Sequence, residues 1–305
     1  MQKSTIVVIG SSNTDMVVKT PHLPAPGETI LGGTFFMNAG GKGANQAVAA
    51  ARLGGQVTFV AKLGNDIFGK QALQLFGEEG IDTSCVVTDP QYPSGVALIT
   101  VDYKGENCIA VASGANAQLL PADLENPKDK IKNAAIVLMQ LEVPVETVAE
   151  AAALANDAGA LVILNPAPAC TLPSGIFQHI SIITPNETEA EMLSGMPVAD
   201  VQSAKKAAGI IRAKGVKTVI ITLGSKGALI VGEGIEQLVP APAVTPVDTT
   251  AAGDVFNGAL AVALAEGKGI LEAVAFACQA AAISVARLGA QASAPYRAEF
   301  ENKVI

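Results

Sequence analysis

Short β-branched runs that alternate with segments of helical period constrain this chain most. Ile6-Val7-Val8-Ile9-Gly10 opens the pattern: a run apolar throughout and stopped by Gly suits a strand buried on both faces of a parallel sheet. Further strands are expected at Val57 to Ala61, Ala135 to Met139, Leu161 to Leu164, Ile180 to Thr184 and Val216 to Thr222. Helices are expected at Lys42 to Leu53, Phe68 to Glu79, Val145 to Asn156, from Glu187, and at Val201 to Ala213. A hairpin at Ala228 to Val231 and Glu236 to Val239 then precedes two Ala-rich helices, 252 to 265 and 270 to 286. The alternation predicts an α/β fold, with a mostly parallel central sheet flanked by helices, as a single domain over residues 1–305. Half of the 305 residues are apolar, enough for a sizeable core.

Two segments break the alternation. Residues 16 to 38 lack helical period and carry Pro21, Pro24, Pro26, Gly27, Gly32 and Gly33, with alternating stretches at Met16 to Lys19 and Thr29 to Phe36. Gly95 to Val101 and Asn107 to Val111 form a second pair around Asp102-Tyr103-Lys104-Gly105-Glu106. These insertions, at about 14–40 and 94–112, suggest a small β lid, which would exclude water from a reacting centre, or equally a dimer interface. The apolar residues Ile30, Leu31, Phe35 and Phe36 point to a homodimer, because exposed strand edges tend to be covered.

A net charge of −8 argues against nucleic acid and anionic membranes as partners, since both call for a basic face. The apolar runs fall short of the roughly 20 residues of a membrane span. Cys85, Cys108, Cys170 and Cys278 are too scattered for a metal knuckle or a redox pair, so reduced thiols in a cytoplasmic protein are expected. Met1 to Thr5 enters a strand pattern in place of a signal peptide.

The chemistry centres on Val247 to Leu260. A strand-like Pro/Val segment is expected just before it, and Ala251-Ala252-Gly253 lets backbone N–H groups converge at a helix start that would face an anion. Asp254 stands at that mouth, where an acid can also simply cap the helix. Ala39-Gly40-Gly41-Lys42-Gly43-Ala44-Asn45 is glycine-rich and leads into a helix, but it lacks the spacing of a phosphate loop. It offers close backbone approach to a ligand at Gly40-Gly41, an ammonium at Lys42 and an amide at Asn45. Strand ends supply Asn13, Asp15 and Glu142, alternatively turn residues or a helix-terminal charge. Asn186, Glu187 and Glu189 would suit a solvated Mg²⁺, or merely an acidic helix start. Thr222-Leu223-Gly224-Ser225-Lys226-Gly227 is a bed for nucleotide phosphates or ribose, or a plain turn.

With only His22 and His179, a catalytic triad or a His-based zinc site lacks support. No Gly-x-Gly-x-x-Gly follows the first strand, which disfavours a dinucleotide-linked dehydrogenase. Hydroxyl-binding groups, a nucleotide loop and Gly253-Asp254 between them describe phosphoryl transfer to a hydroxyl.

Ala39 to Asn45 and Asp248-Thr249-Thr250-Ala251-Ala252-Gly253-Asp254 resemble the two signatures of the ribokinase-like carbohydrate kinase family, and the match runs the whole length. Asn165 to Ala169, Thr184 to Glu189 and Thr222 to Ser225 add to it. The resemblance implies sugar contacts from Asn13, Asp15, Gly41, Lys42, Asn45 and Glu142, Asp254 as base, and an anion hole at Ala251, Ala252 and Gly253. It implies nucleotide contacts from Asn186, Thr222, Gly224, Ser225, Lys226, Gly227, Gly253 and Cys278, with Glu189 linked indirectly to Mg²⁺. It further implies a K⁺ site at Asp248, Thr250, Ser284, Arg287, Gly289 and Ser293, several of these through carbonyls. Cys278 stands where the family often carries a polar adenine-edge residue, and Leu288 where a basic one is frequent. The expected activity is ATP-dependent phosphorylation of D-ribose at the 5-hydroxyl, with Mg²⁺ and K⁺. A related kinase for deoxyribose, another sugar or a nucleoside is the alternative, and a non-catalytic sugar-binding module the rival from another class.

Overall fold

The β-branched runs become strands because each is buried on both sides. In chain order the computed structural model, which describes residues 5–301, has β1 (Thr5–Ile9), β2 (Asn13–Lys19), β3 (Thr34–Gly40), α1 (Lys42–Arg52), β4 (Gln56–Gly64), α2 (Ile67–Glu78), β5 (Asp82–Asp89), β6 (Gly95–Val101) and β7 (Asn107–Ala112). There follow α3 (Lys128–Asn133), β8 (Ile136–Met139), α4 (Val145–Asp157), β9 (Leu161–Leu164), β10 (Ile182–Ile183), α5 (Glu187–Ser194), α6 (Val201–Ala213), β11 (Thr218–Thr222), β12 (Ala228–Gly232), β13 (Ile235–Val239), α7 (Ala252–Ala265) and α8 (Ile270–Val285). The expected direct entry of the N-terminus into the first strand rests on residues 1–4, which lie outside the described residues.

The main sheet runs β13-β12-β11-β10-β9-β8-β1-β4-β5, parallel from β11 to β5, with β12 and β13 as the antiparallel edge hairpin. Alternation along each strand divides its side chains between two cores. Val7, Ile9, Val137 and Met139 join α4, α5 and α6 on one face, while Ile6, Val8, Ile136 and Leu138 join α1, α7 and α8 on the other. Each fully buried aliphatic side chain contributes about 1.5–3 kcal/mol. No helix among the described residues is long and apolar enough to cross a membrane.

The two segments that break the alternation form a separate sheet, β3-β2-β6-β7, in which β2 and β6 are parallel and the outer pairs antiparallel. Asn13 to Asp15, readable as a turn, are instead the first residues of β2. The strand expected from Thr29 begins only at Thr34, after Gly32 and Gly33, both at positive φ. The strand-like segment expected before Val247 carries no strand, since Pro240, Pro242 and Pro246 cannot donate to a ladder.

Helices α1 and α7 touch through small residues. A Cβ on Gly258 would fall 2.8 Å from both the Ala49 Cβ and the Gln46 carbonyl oxygen. This close crossing brings the first turn of α1 against the first turn of α7.

Candidate active site

Asp254 is buried in that crossing, with 5 % of its surface exposed. Both its oxygens accept from amides on α1: Asn45 Nδ2 donates to Oδ2 at 2.8 Å, and Gln46 Nε2 to Oδ1 at 2.9 Å. Burial raises the Asp254 carboxyl above its ordinary range, while the Lys42 charge and the two amide donors oppose that rise. Lys42 also feels Glu142 and Glu189; burial works against its charge, yet the three carboxylates hold its pKa above normal. Asp15 is raised to about 6, by burial first and then by the charges of Glu142 and Asp254. Burial likewise raises Glu189. One lysine thus stands among Asp15, Glu142, Glu189 and Asp254, a set contributed by four separate elements of the chain.

Immediately before Asp254, Ala251 sits at φ 58°, the positive-φ non-glycine residue among those described. That left-handed turn lets α7 begin at Ala252 with the Gly253 and Asp254 amides in its first turn, where a helix offers no internal acceptor. Such free donors at the positive end of a helix dipole suit an anion.

Glu142 lies beyond β8 but serves α1. Its Oε2 accepts from the Lys42 amide at 3.0 Å and from Ser11 Oγ at 2.5 Å, so its helix-terminal charge falls on α1 and not on the following α4. Glu142 and Asn13 line a cavity of about 400 Å³ together with Val111, Ser113, Asn116 and Pro168. The glycines before α1 are required by the chain itself. A Cβ on Gly40 would meet the Asp15 carboxylate at 2.3 Å, and one on Gly41 would meet Ser12 Cα and Asn13 N at 2.7 Å. They admit the chain's own β1–β2 crossover.

A second cavity, of about 640 Å³, opens on the other side of the α7 start. Asn186, Thr222, Gly224, Ser225, Gly227, Gly253 and Cys278 all line it, and so do Ala252 and Glu187. Lys226 does not. Pro242, Val244, Phe256, Ala281, Ala282 and Val285 give it an apolar wall, and burial pushes the Cys278 thiol up to about 11. Asn186 and Glu189 are closed on each other: Glu189 Oε2 accepts from the Asn186 amide at 2.9 Å, Oε1 from Asn186 Nδ2 at 3.0 Å, and Asn186 Oδ1 from the Glu189 amide at 2.8 Å. This is a reciprocal cap on α5.

Asp248 ties the loop before α7 to the loop after α8. Its Oδ1 accepts from the Thr250 amide and its Oδ2 from the Gly289 amide, each at 2.9 Å. Burial would raise its pKa, but the hydrogen bonds from Thr250 and Gly289 and the Lys19 charge hold it below normal. The hydroxyls of Ser284 and Ser293 donate to the carbonyls of Ala281 and Ala290, both at 2.8 Å. The Arg287 side chain pairs with Glu299. Among these six positions, then, Asp248 offers a carboxylate and the rest chiefly main-chain oxygens.

The model of the pfkB family of carbohydrate kinases matches residues 3–297. The chain belongs to this family. Within it, the chain is 47 % identical to a ribokinase of Haemophilus influenzae over 97 % of both chains. It is 39 % identical to a deoxyribokinase of Salmonella typhi, again over 97 % of both. A solved Arabidopsis thaliana ribokinase complexed with ribose and ATP superposes with a TM-score of 0.90 at 37 % identity, covering 98 % of this chain and 97 % of that one.

Of the residues that build the site in this pfkB kinase, Gln46, Gln140 and Asn116 have no place in the sequence motifs, while Asn165 stands in the segment Asn165 to Ala169 that carries the resemblance. Gln46, Gln140 and Asn165 are buried amides behind Asp254, and Asn116 holds Asn13, donating from Nδ2 to its Oδ1 at 2.8 Å. The signal for the first two was present: Gln46 interrupts the apolar face of α1, and Gln140 ends the apolar run of β8.

Proposed function

We propose that this chain transfers the γ-phosphoryl group of ATP to the 5-hydroxyl of D-ribose, giving ribose 5-phosphate and ADP. The observation that carries this reading is the position of α7. Its first residues, Ala252 and Gly253, line the larger cavity, while the next, Asp254, is a buried carboxylate held by Asn45 on the side of Lys42, Asp15 and Glu142. A nucleotide in the larger cavity directs its terminal phosphate toward the helix start, and a sugar over Asp15, Lys42 and Asn45 directs a hydroxyl toward Asp254.

Asp254 accepts the hydroxyl proton as that oxygen attacks phosphorus. The anionic form it needs is favoured by Lys42 and by the Asn45 and Gln46 amides, against its burial. Of the proposed anion hole at Ala251, Ala252 and Gly253, the Ala252 amide already donates to the Thr249 carbonyl at 3.3 Å, so the Ala251 and Gly253 amides, with that of Asp254, offset charge on the transferring phosphoryl, a contribution that fixed donors make without reorganisation. Asn13, Asp15 and Glu142 orient the sugar; Thr222, Gly224, Ser225 and Gly227 the nucleotide. The strands of the second sheet act as the lid. Val111 and Ser113, at and just after the end of β7, wall the smaller cavity, in keeping with that role.

Mg²⁺ bound to the nucleotide phosphates would neutralise their charge. Glu187 on the cavity wall, with Glu189 behind it, fits an ion that keeps much of its water. K⁺ fits the Asp248 loop, where Asp248 and Thr250 join carbonyl oxygens around Ser284, Arg287, Gly289 and Ser293; its binding would stiffen the anion hole three residues on. The outer face of the second sheet exposes Val18, Phe35, Met37 and Leu98, a surface suited to a second copy of the chain. A homodimer working in the cytoplasm follows from this reading.

A deoxyribose kinase is the second reading, favoured by the 39 % identity to such an enzyme. Competing D-ribose and 2-deoxyribose at equal concentration, with both products quantified, decides between them. Predominant ribose phosphate supports the proposal, and predominant deoxyribose phosphate replaces it.

A further inference from the structure

Asp254 is the end of a ring of buried polar side chains that returns to the residue beside it. Gln46 uses both amide hydrogens, donating to Asp254 Oδ1 at 2.9 Å and to Asn165 Oδ1 at 3.2 Å. Its own carbonyl accepts from Gln140 Nε2 at 2.6 Å. Asn165 Nδ2 donates to the Thr184 carbonyl at 3.2 Å, the Thr184 hydroxyl to Asn257 Oδ1 at 2.7 Å, and Asn257 Nδ2 to the Gly253 carbonyl at 2.8 Å. Gln46, Gln140, Asn165, Thr184 and Asn257 are each at most 6 % exposed. None of the five lines either cavity.

We propose that Gln46 is a positioning residue for phosphoryl transfer, fixing the rotamer of Asp254 and locking it to the Gly253 end of the anion hole. The inference rests on the reading of Asp254 as the base. The ring admits one orientation of the Gln46 amide. Turned over, its oxygen would face Asp254 Oδ1 and Asn165 Oδ1, two acceptors, and its NH₂ would face the Gln140 NH₂. The Asp254 carboxylate, which as an anion can only accept, therefore fixes the Gln46 amide, and Gln46 in return holds that oxygen in place. Asn45 holds only the other oxygen, and a carboxylate gripped at one oxygen still rotates about its Cβ–Cγ bond.

The test compares Gln46→Met with Asp254→Asn in folded, full-length enzyme. Rates are followed with ATP and ribose across pH, and each variant's thermal midpoint is recorded. Misplacing a reacting group by about 1 Å costs on the order of 10²-fold, so kcat of Gln46→Met falls by about that factor with the ribose KM little changed. Removing a donor to the ionised carboxylate also moves the acid limb of kcat/KM to higher pH. The other charges facing Asp254, from Asp15, Lys42, Glu142 and Glu189, are untouched by the substitution. An unshifted pH profile with near-normal kcat overturns the inference. Should Asp254→Asn turn over normally, it is the base assignment that falls instead. If Gln46→Met does not fold, Gln140→Met, which frees the Gln46 carbonyl, decides by the same two readouts: a smaller loss and shift in the same directions support the inference, and unchanged kinetics overturn it.

Discussion

The carboxylate of Glu142 accepts the backbone N–H of Lys42 at 3.0 Å, so a residue beyond β8 caps a helix that starts 100 positions earlier. The same oxygen takes the Ser11 hydroxyl, which joins the ends of β1 and β8 to the start of α1. Glu142→Ala removes an anion from a helix N-terminus and a cap together. The expected loss is about 1–2 kcal/mol of stability, with a raised ribose KM. Denaturant unfolding and steady-state kinetics on one preparation check both.

The Asp15 carboxyl keeps its proton to a pH of about 6 in the folded chain, against an ordinary 3.8. Between those values the folded chain binds more protons than the unfolded one, so this group's contribution to stability declines as pH rises through them. Asp15→Asn, which cannot ionise, should raise the thermal midpoint near neutral pH and leave it little changed near about pH 4. In wild type, ribose kcat/KM should fall as pH drops through about 6, where Asp15 gains its proton and loses an acceptor site.

Ala281, Ala282 and Val285 present one face of α8 to the larger cavity. Filling that face with Ala282→Phe should raise the ATP KM by about tenfold or more, the effect of losing about 1.4 kcal/mol of binding, with the ribose KM within error. An unchanged ATP KM would place the nucleotide elsewhere.

Asp248 spans the loops before α7 and after α8 through two amides. Replacing K⁺ by Na⁺ should lower kcat severalfold in wild type. Asp248→Ala should lower it and abolish the difference between the two ions. Titration with each chloride salt at constant ionic strength reads this directly.

Long periodic elements were legible in the sequence because local pattern and tertiary burial agree there. α6 runs from Val201 to Ala213 and α7 from Ala252 to Ala265, as the periodicity predicts. β5 was not legible: Asp82-Thr83-Ser84-Cys85-Val86-Val87-Thr88-Asp89 is half polar because it is an edge strand paired only with β4. α3, Lys128 to Asn133, buries Ile131 alone and so carries no helical stripe. At the site, Asp254, Asn45, Lys42 and the Thr222 loop were readable as chemistry. Gln46 and Gln140 showed only as polar residues set against apolar runs, and Asn116 not at all, because their partners are distant in sequence and a buried amide has no motif of its own.

The central claim is that Asp254 accepts the proton as phosphate passes from ATP to the ribose 5-hydroxyl. Its most direct test is quantification of ribose 5-phosphate, with the phosphate position assigned by NMR, from wild type and Asp254→Asn under identical ATP, Mg²⁺ and K⁺. Wild type should give the 5-phosphate, and the variant should form it about 10²- to 10⁴-fold more slowly with a near-normal ribose KM. Near-normal product formation by Asp254→Asn, or phosphate at another carbon from wild type, would contradict it.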